Sequence, residues 1–283
     1  MSVTDRTTNV QGVTVPGIIY GTAWKKERTA ELVSKALQAG FRGFDTACQP
    51  KHYDEKGVGT GLQHRHELGL ARKDIYLQTK FTPLSSQEPA KLPYDKNASL
   101  EKQVMQSFAV SQTNLQTDYV DTLLLHSPLE SFAETMQAWD VMQEIHQQGG
   151  ARLLGISNCY DLELFKKLYN TAAIKPAVVQ NRFCKDTNYE MNMRVYCKQN
   201  HIIFESFWSL TANVHILNSE TLKKIAAKYE KTPAQIFFRY MAQAGIVPLT
   251  GTSSEQHMQE DLAIFDFKLS MPDLSDIASL FIV

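Results

Sequence analysis

Short apolar, β-branched runs alternate along this chain with longer amphipathic segments. The runs GIIYGTA (17–23), FRGFDTA (41–47), IYLQTKF (75–81), VDTLLLH (120–126), ARLLGIS (151–157), AVVQNRF (177–183), HIIFESF (201–207) and GIVPLTG (245–251) read as eight strands. Helical periodicity predicts helices over roughly 28–39, 55–70, 98–115, 131–147, 161–170, 189–199, 219–243 and 254–264. Two carry start signals. Ser131 with Glu134 forms a capping-box pattern ahead of Phe132, Met136, Trp139 and Met142 at helical spacing. Thr232-Pro233 followed by Gln235 places proline at the first helical position, where its missing N–H costs nothing. Aromatic and methionine positions on these helices read as core.

Eight βα units without a linker or composition break predict one closed parallel barrel, a single domain over residues 1–283. A doubly wound open sheet would want a glycine-rich phosphate turn after its first strand, and GTAWKKE is not one. GVGTG (57–61) sits inside a helical pattern and is discounted. The segment TPLSSQEPAKLPYDKN (82–97) follows the third strand, which puts it on the C-terminal rim as a pocket-shaping or plain solvated loop. TANVHILN (211–218) follows the seventh strand and is placed to fold over a ligand.

Charge narrows the function. With 29 basic against 30 acidic residues the net charge is -1, and no basic block points to nucleic acid. No apolar run approaches the ~20 residues of a membrane span. MSVTDRTTNVQG lacks the apolar core of a signal peptide, so a cytoplasmic protein is expected. Cys48, Cys159, Cys184 and Cys197 show no CxxC or zinc-ligand spacing, and they read as reduced thiols with no metal site. Cys48 and Cys159 fall close to candidate site segments, where packing is the plainer role.

The strand ends bring Asp45, Tyr53, Lys80 and His126 to one rim. Desolvation would lower the Lys80 pKa, and a paired Asp45 would restore its charge. A charged lysine beside a phenol favours the phenolate, lowering a pKa otherwise near ~10, so Tyr53 could act as a general acid near neutral pH. His126 could orient a carbonyl oxygen, and the same donors would stabilise a developing alkoxide. Such a site awaits a hydride, which side chains cannot supply and a nicotinamide cofactor brings. Taken singly, His126 reads equally as a core histidine, Lys80 as a solvent-facing strand end and Asp45 as a turn cap. Four complementary groups on consecutive strand ends weigh against that.

The blocks VTVPGIIYGTA, GFRGFDTA, TKF, YVDTLLLHSP, GISN, VVQNRF, KTPAQIFFRY and EDLAIFDFKLS, in order from about residue 10 to about 272, resemble those of the aldo-keto reductase superfamily. The resemblance implies a (β/α)8 TIM barrel with a short N-terminal β-hairpin closing its bottom. It also implies NADPH, or NADH, as hydride donor, small aldehydes or ketones as substrates, and a monomer. Carried over by position, Asp45, Lys80 and His126 are catalytic with Tyr53, and Ser157, Asn158 and Gln180 hold the nicotinamide carboxamide. Phe207 stacks on the nicotinamide, with Trp208 as the one-residue alternative and a pocket residue. Gly21, Thr22, Ser209, Leu210, Thr250, Gly251, Thr252, His257 and Asp261 complete the implied cofactor site. Trp24 and His52 complete the substrate pocket, although Trp24 reads equally as a barrel-bottom core residue.

Three departures from the family pattern stand out. Pro50 occupies the usual tyrosine position, and counting back from Glu55 aligns His52 rather than Tyr53. Tyr53 is favoured because a loop shifts by one residue more readily than an imidazole replaces a phenol; His52 is the alternative acid. The lysine-serine pair and arginine that hold the 2′-phosphate are replaced by Thr250, Gly251, Thr252 and His257. Amides and hydroxyls at a helix N-terminus still hold phosphate, but the cationic clamp is missing, which leaves NADPH against NADH open. Asp261 reads as facing the adenine or as a solvated carboxylate. The sequence ends at DLSDIASLFIV, short of the family's closing loop, so an open pocket and a broad substrate range are expected. Two other functions are weighed against a reductase: a retired nucleotide-binding barrel acting as a regulatory or structural subunit, and a Schiff-base aldolase or isomerase using Lys80.

Overall fold

In the computed structural model, which describes residues 6–281, strands β1 (Thr7–Val10) and β2 (Val13–Pro16) form an antiparallel hairpin. It turns through Gln11 and Gly12 at φ 50° and 81°. Eight further strands follow: β3 (Ile19–Gly21), β4 (Gly43–Asp45), β5 (Tyr76–Phe81), β6 (Val120–Leu125), β7 (Ala151–Ser157), β8 (Val178–Arg182), β9 (Ile203–Phe207) and β10 (Ile246–Thr250). They close into a parallel barrel in the order β10-β3-β4-β5-β6-β7-β8-β9. The hairpin packs Val13 and Val15 against Ile19, Tyr76, Val178, Ile203 and Val247, near the starts of the barrel strands, and so closes that end. The (β/α)8 barrel with its hairpin is the fold anticipated from the strand count and the family blocks.

The helices are α1 (Thr29–Ala39), α2 (Glu55–Leu62), α3 (Leu100–Leu115), α4 (Phe132–Gln147), α5 (Leu162–Thr171), α6 (Met191–Gln199), α7 (Val214–Leu217), α8 (Glu220–Tyr229), α9 (Pro233–Gln243), α10 (Glu255–Leu262) and α11 (Met271–Ser279). Both capping boxes form, at Ser131 with Glu134 and at Thr232 with Gln235. Leu32, Val33, Phe44, Leu77, Leu123, Trp139, Met142 and Phe237 bury the apolar faces of helices and strands against each other.

Three helices differ from the periodicity. The helix predicted over 55–70 ends at Leu62 and continues only as a 3-10 turn at Gln63–Arg65. The run 219–243 is two helices, broken where Glu230 takes the left-handed conformation and Pro233 restarts the chain. The sixth barrel helix begins at Met191 because Asn188, Tyr189 and Glu190 are all left-handed, at φ 48°, 50° and 55°. TANVHILN holds the single turn α7, and 82–97 holds only a 3-10 turn at Leu84–Ser86. GVGTG lies in α2, and a Cβ on Gly59 would fall 2.1 Å from the Asn114 carbonyl oxygen. These glycines therefore serve close helix packing. No helix among the described residues is long and apolar enough to cross a membrane.

Candidate active site

The end of β4 carries Asp45, β5 carries Lys80, and His126 follows β6 directly. Asp45 and Lys80 are buried, and Lys80 Nζ donates to Asp45 Oδ1 at 2.5 Å and to the Thr46 carbonyl at 2.9 Å. From the loop between β4 and α2, the Tyr53 ring lies 5.3 Å from Lys80 Nζ and 6.0 Å from the His126 ring at 68°. His126 Nδ1 sits 2.6 Å from Thr82 Oγ1, which fixes the ring. His52 instead stacks on Trp24 with ring centroids 3.9 Å apart. Trp24 is 60% exposed at the cavity rim, so its alternative reading as barrel-bottom core is wrong.

The electrostatics differ from the sequence expectation in one respect. Burial, reinforced by Asp45, raises the Tyr53 phenol above its ordinary value rather than lowering it. The Lys80 charge is already matched by Asp45 at 2.5 Å, so desolvation dominates. His126 is held well below the usual imidazole range by burial, then by Lys80 and His52, and is neutral at neutral pH. The His52 imidazole is lowered by burial and by Lys51, with Glu88 opposing.

Above these groups opens a cavity of about 1090 Å³. Asp45, Tyr53 and His126 lie on it with Trp24, His52 and Trp208. Ser157, Asn158 and Gln180 line it from the ends of β7 and β8. Ser157 Oγ donates to the Gln180 carbonyl at 2.8 Å, and Asn158 Nδ2 donates to the His126 carbonyl at 2.9 Å. Phe207 and Trp208 both line the cavity, and the Arg182 guanidinium stacks 4.4 Å from the Trp208 ring. Gly21, Ser209, Leu210, Thr250, Gly251, Thr252, His257 and Asp261 line it as well. Thr22 does not: its hydroxyl and N–H donate to the Asp45 carbonyl at 2.8 and 3.0 Å, so it supports Asp45 instead of contacting a ligand. Lys80 is also behind the wall.

At the far end Thr250 Oγ1 donates to Asp261 Oδ2 at 2.7 Å, and burial pushes the Asp261 carboxyl up to about 6. Ser254 caps α10, accepting from the His257 N–H. Lys25 Nζ donates to the Gly251 carbonyl and lines the cavity. Sequence reasoning missed Lys25, although GTAWKKE sets two lysines after the first strand, and missed Arg182, a cation ending the apolar run VVQNR. The donor set suits a dinucleotide. Gly21 and Gly251 keep side chains off the wall between β3 and β10, and Lys25, the Ser254-capped helix end and several hydroxyls supply anion-binding groups. Cys48 and Cys159 lie outside the cavity lining, and burial raises both thiols, so they pack. No group of His, Cys, Asp and Glu among the described residues is arranged to hold a metal ion.

The family model for the aldo/keto reductase family matches residues 17–213 and 212–282. A glyoxal reductase of Bacillus subtilis (strain 168) is 31% identical over 251 residues, 88% of this chain and 82% of that protein. The crystal structure of an aldo/keto reductase from Brucella melitensis superposes with a TM-score of 0.81 at 28% identity, covering 97% of this chain and 98% of that one. An aldo-keto reductase complexed with NADPH, 23% identical over 96% of this chain and 86% of its own, shares the fold at a TM-score of 0.80. With the barrel, the clustered strand-end residues and these matches, the chain belongs to the aldo/keto reductase family of oxidoreductases acting on carbonyls.

Proposed function

We propose that this protein reduces small aldehydes or ketones to alcohols, with NADPH as cofactor and Tyr53 as proton donor. The observation that carries the reading is the meeting of Asp45, Tyr53, Lys80 and His126 at the inner end of a cavity large enough for a dinucleotide and a small substrate. When bound, NADPH supplies the hydride that side chains cannot. Neutral His126, tied at Nδ1 to Thr82, offers its other ring nitrogen to the carbonyl oxygen. The buried Tyr53 phenol stays protonated through the neutral range. An alkoxide is a stronger base than a phenolate, so the proton passes from Tyr53 Oη to the substrate oxygen as negative charge develops there. Lys80, paired with Asp45, stabilises the phenolate left behind. The same pairing ties Lys80 Nζ to Asp45 and outside the cavity lining, which argues against Schiff-base chemistry.

Ser157, Asn158 and Gln180 hold the carboxamide in this reading, and Phe207 stacks on the nicotinamide. Thr250, Gly251, Thr252, Lys25 and the start of α10 take the phosphates, with His257 beside them and Asp261 toward the adenine. Trp24, His52 and Trp208 frame a substrate end suited to small dicarbonyls such as glyoxal.

The test is the loss of near-ultraviolet absorbance of NADPH with a panel of simple aldehydes. Tyr53→Phe should lower kcat by about 10²- to 10⁴-fold and leave NADPH affinity nearly unchanged, while His52→Ala stays active. The reverse pattern would make His52 the acid. A wild type that binds NADPH but turns over no aldehyde would be a nucleotide-binding barrel without catalysis.

A further inference from the structure

One charged group in the barrel has no part in the chemistry above. Glu205, in the middle of β9, is fully buried and outside the cavity lining. Its Oε2 accepts from Gln78 Nε2 at 2.7 Å and from Gln180 Nε2 at 2.8 Å. The same two nitrogens donate to Asp45 Oδ1 at 2.8 and 3.0 Å. Asp45 pairs with Gln78 across β4 and β5, and Gln180 pairs with Glu205 across β8 and β9. In the order of the barrel, β4 stands opposite β8 and β5 opposite β9. The network therefore spans the barrel and joins the catalytic carboxylate to the wall that holds Gln180.

An ionised carboxylate only accepts hydrogen bonds, and a carboxamide nitrogen only donates. Between Asp45 and Glu205, both hydrogens of each glutamine nitrogen are committed inward. Gln78 Oε1 is taken by the Tyr76 hydroxyl at 3.1 Å. Gln180 lines the cavity, and its Oε1 is the polar atom of that side chain left outside the network with Asp45 and Glu205. A glutamine with a single carboxylate neighbour could rotate and offer its NH2 instead. Flanked by two, it cannot do so without setting a carbonyl against a carboxylate.

We propose that Glu205 is a positioning residue: with Asp45 it locks the Gln180 carboxamide nitrogen inward, so that the cavity meets only an acceptor there, matched to the NH2 of a nicotinamide carboxamide. This rests on the reductase reading. The site bears a cost for it. Glu205 Oε1 has no hydrogen-bond partner, and burial pushes the carboxyl up to about 7 against the pull of the two glutamines. A barrel interior is ordinarily filled with branched apolar side chains, which would avoid that cost.

The experiment compares wild type and Glu205→Gln for equilibrium binding of NADPH, read by tryptophan fluorescence at pH 8, and of 2′-phospho-ADP-ribose, which lacks the nicotinamide. The substituted carboxamide can donate to Gln180 Oε1 and so permits the rotated amide. NADPH should bind about ten-fold more weakly to the variant, the scale of one mispaired hydrogen bond, and 2′-phospho-ADP-ribose should bind equally to both. Unchanged NADPH affinity in Glu205→Gln overturns the proposal, as does an equal loss for both ligands. Failure of the wild type itself to bind NADPH would overturn the cofactor assignment and this proposal together, whereas wild-type turnover with an unaltered variant sinks this one alone.

Discussion

At the scale of single residues, Glu205 also makes a prediction about stability. Its carboxyl rises from 4.5 to about 7 on folding, so the native state holds its proton where the unfolded chain has released it. Stability from this group is thus fully present below pH 4.5 and lost as pH rises through about 7. At roughly 1.4 kcal/mol per unit, the loss is at most about 3.5 kcal/mol for so enclosed a site. Asp45, Lys80 and Tyr76 face the same interior and are present in both proteins, so the comparison with Glu205→Gln isolates the exchanged group. Urea midpoints should show the variant gaining on wild type between pH 5 and pH 8.5. A constant difference across that range would mean that the carboxylate does not titrate there. Asp45, Lys80 and His126 were legible in the sequence because each ends an apolar run, where period-two alternation assigns a face. Tyr53 against His52 was not, because two adjacent loop residues have no period to separate them; in the structure His52 stacks on Trp24 and Tyr53 lies by Lys80. Glu205 and Gln78 were visible as polar residues inside apolar strands, but their meeting depends on strands opposite in the barrel, which no local window contains.

At the scale of elements, α2 and α3 show how a motif can mislead in isolation. G-x-G in GVGTG suits a phosphate turn as well as a helix contact, and only the surrounding helical pattern favoured the second. In the fold, a Cβ on Gly59 meets the Asn114 carbonyl oxygen at 2.1 Å and Leu115 Cα at 3.0 Å, both backbone atoms that cannot rotate aside. Gly59→Ala would gain about 1 kcal/mol of helix propensity yet force the two helices apart, for a net loss of about 1–3 kcal/mol. Thermal denaturation should therefore show a lower Tm with NADPH affinity retained. An unchanged Tm with weakened NADPH binding would restore the phosphate reading. The left-handed turn at Asn188–Glu190 was not legible at all. Glu190 accepts from Asn181 on β8, and Tyr189 buries its ring against Phe183 and Phe281, so tertiary contacts impose a backbone that local propensity disfavours. The break between α8 and α9 was half legible: Thr232-Pro233 announced a start inside a run whose periodicity hid the preceding stop.

At the scale of the whole molecule, the barrel was the most legible feature, because eight apolar runs at βα spacing admit few closed arrangements, whereas the two ends of its cavity took charge from loops that no periodicity describes. Lys25 reaches Gly251 from the first strand's loop, and Asp261 draws Thr250's hydroxyl to itself. No arginine or lysine stands at 250–257; at that end of the cavity are one lysine, Lys25, and the Ser254-capped start of α10, with Glu260 and Asp261 on the same lining. Such a site should hold NADPH with less preference over NADH than a bidentate arginine would give. His257→Arg places a guanidinium where the imidazole now lines the cavity and should raise the ratio of kcat/KM for NADPH over NADH by about ten-fold, the worth of one charge-assisted pair. The gain should shrink with added salt, because a partly exposed ion pair is screened. A ratio unmoved at low salt would mean that residue 257 does not face the 2′-phosphate, and that Lys25 and the helix amides hold it alone.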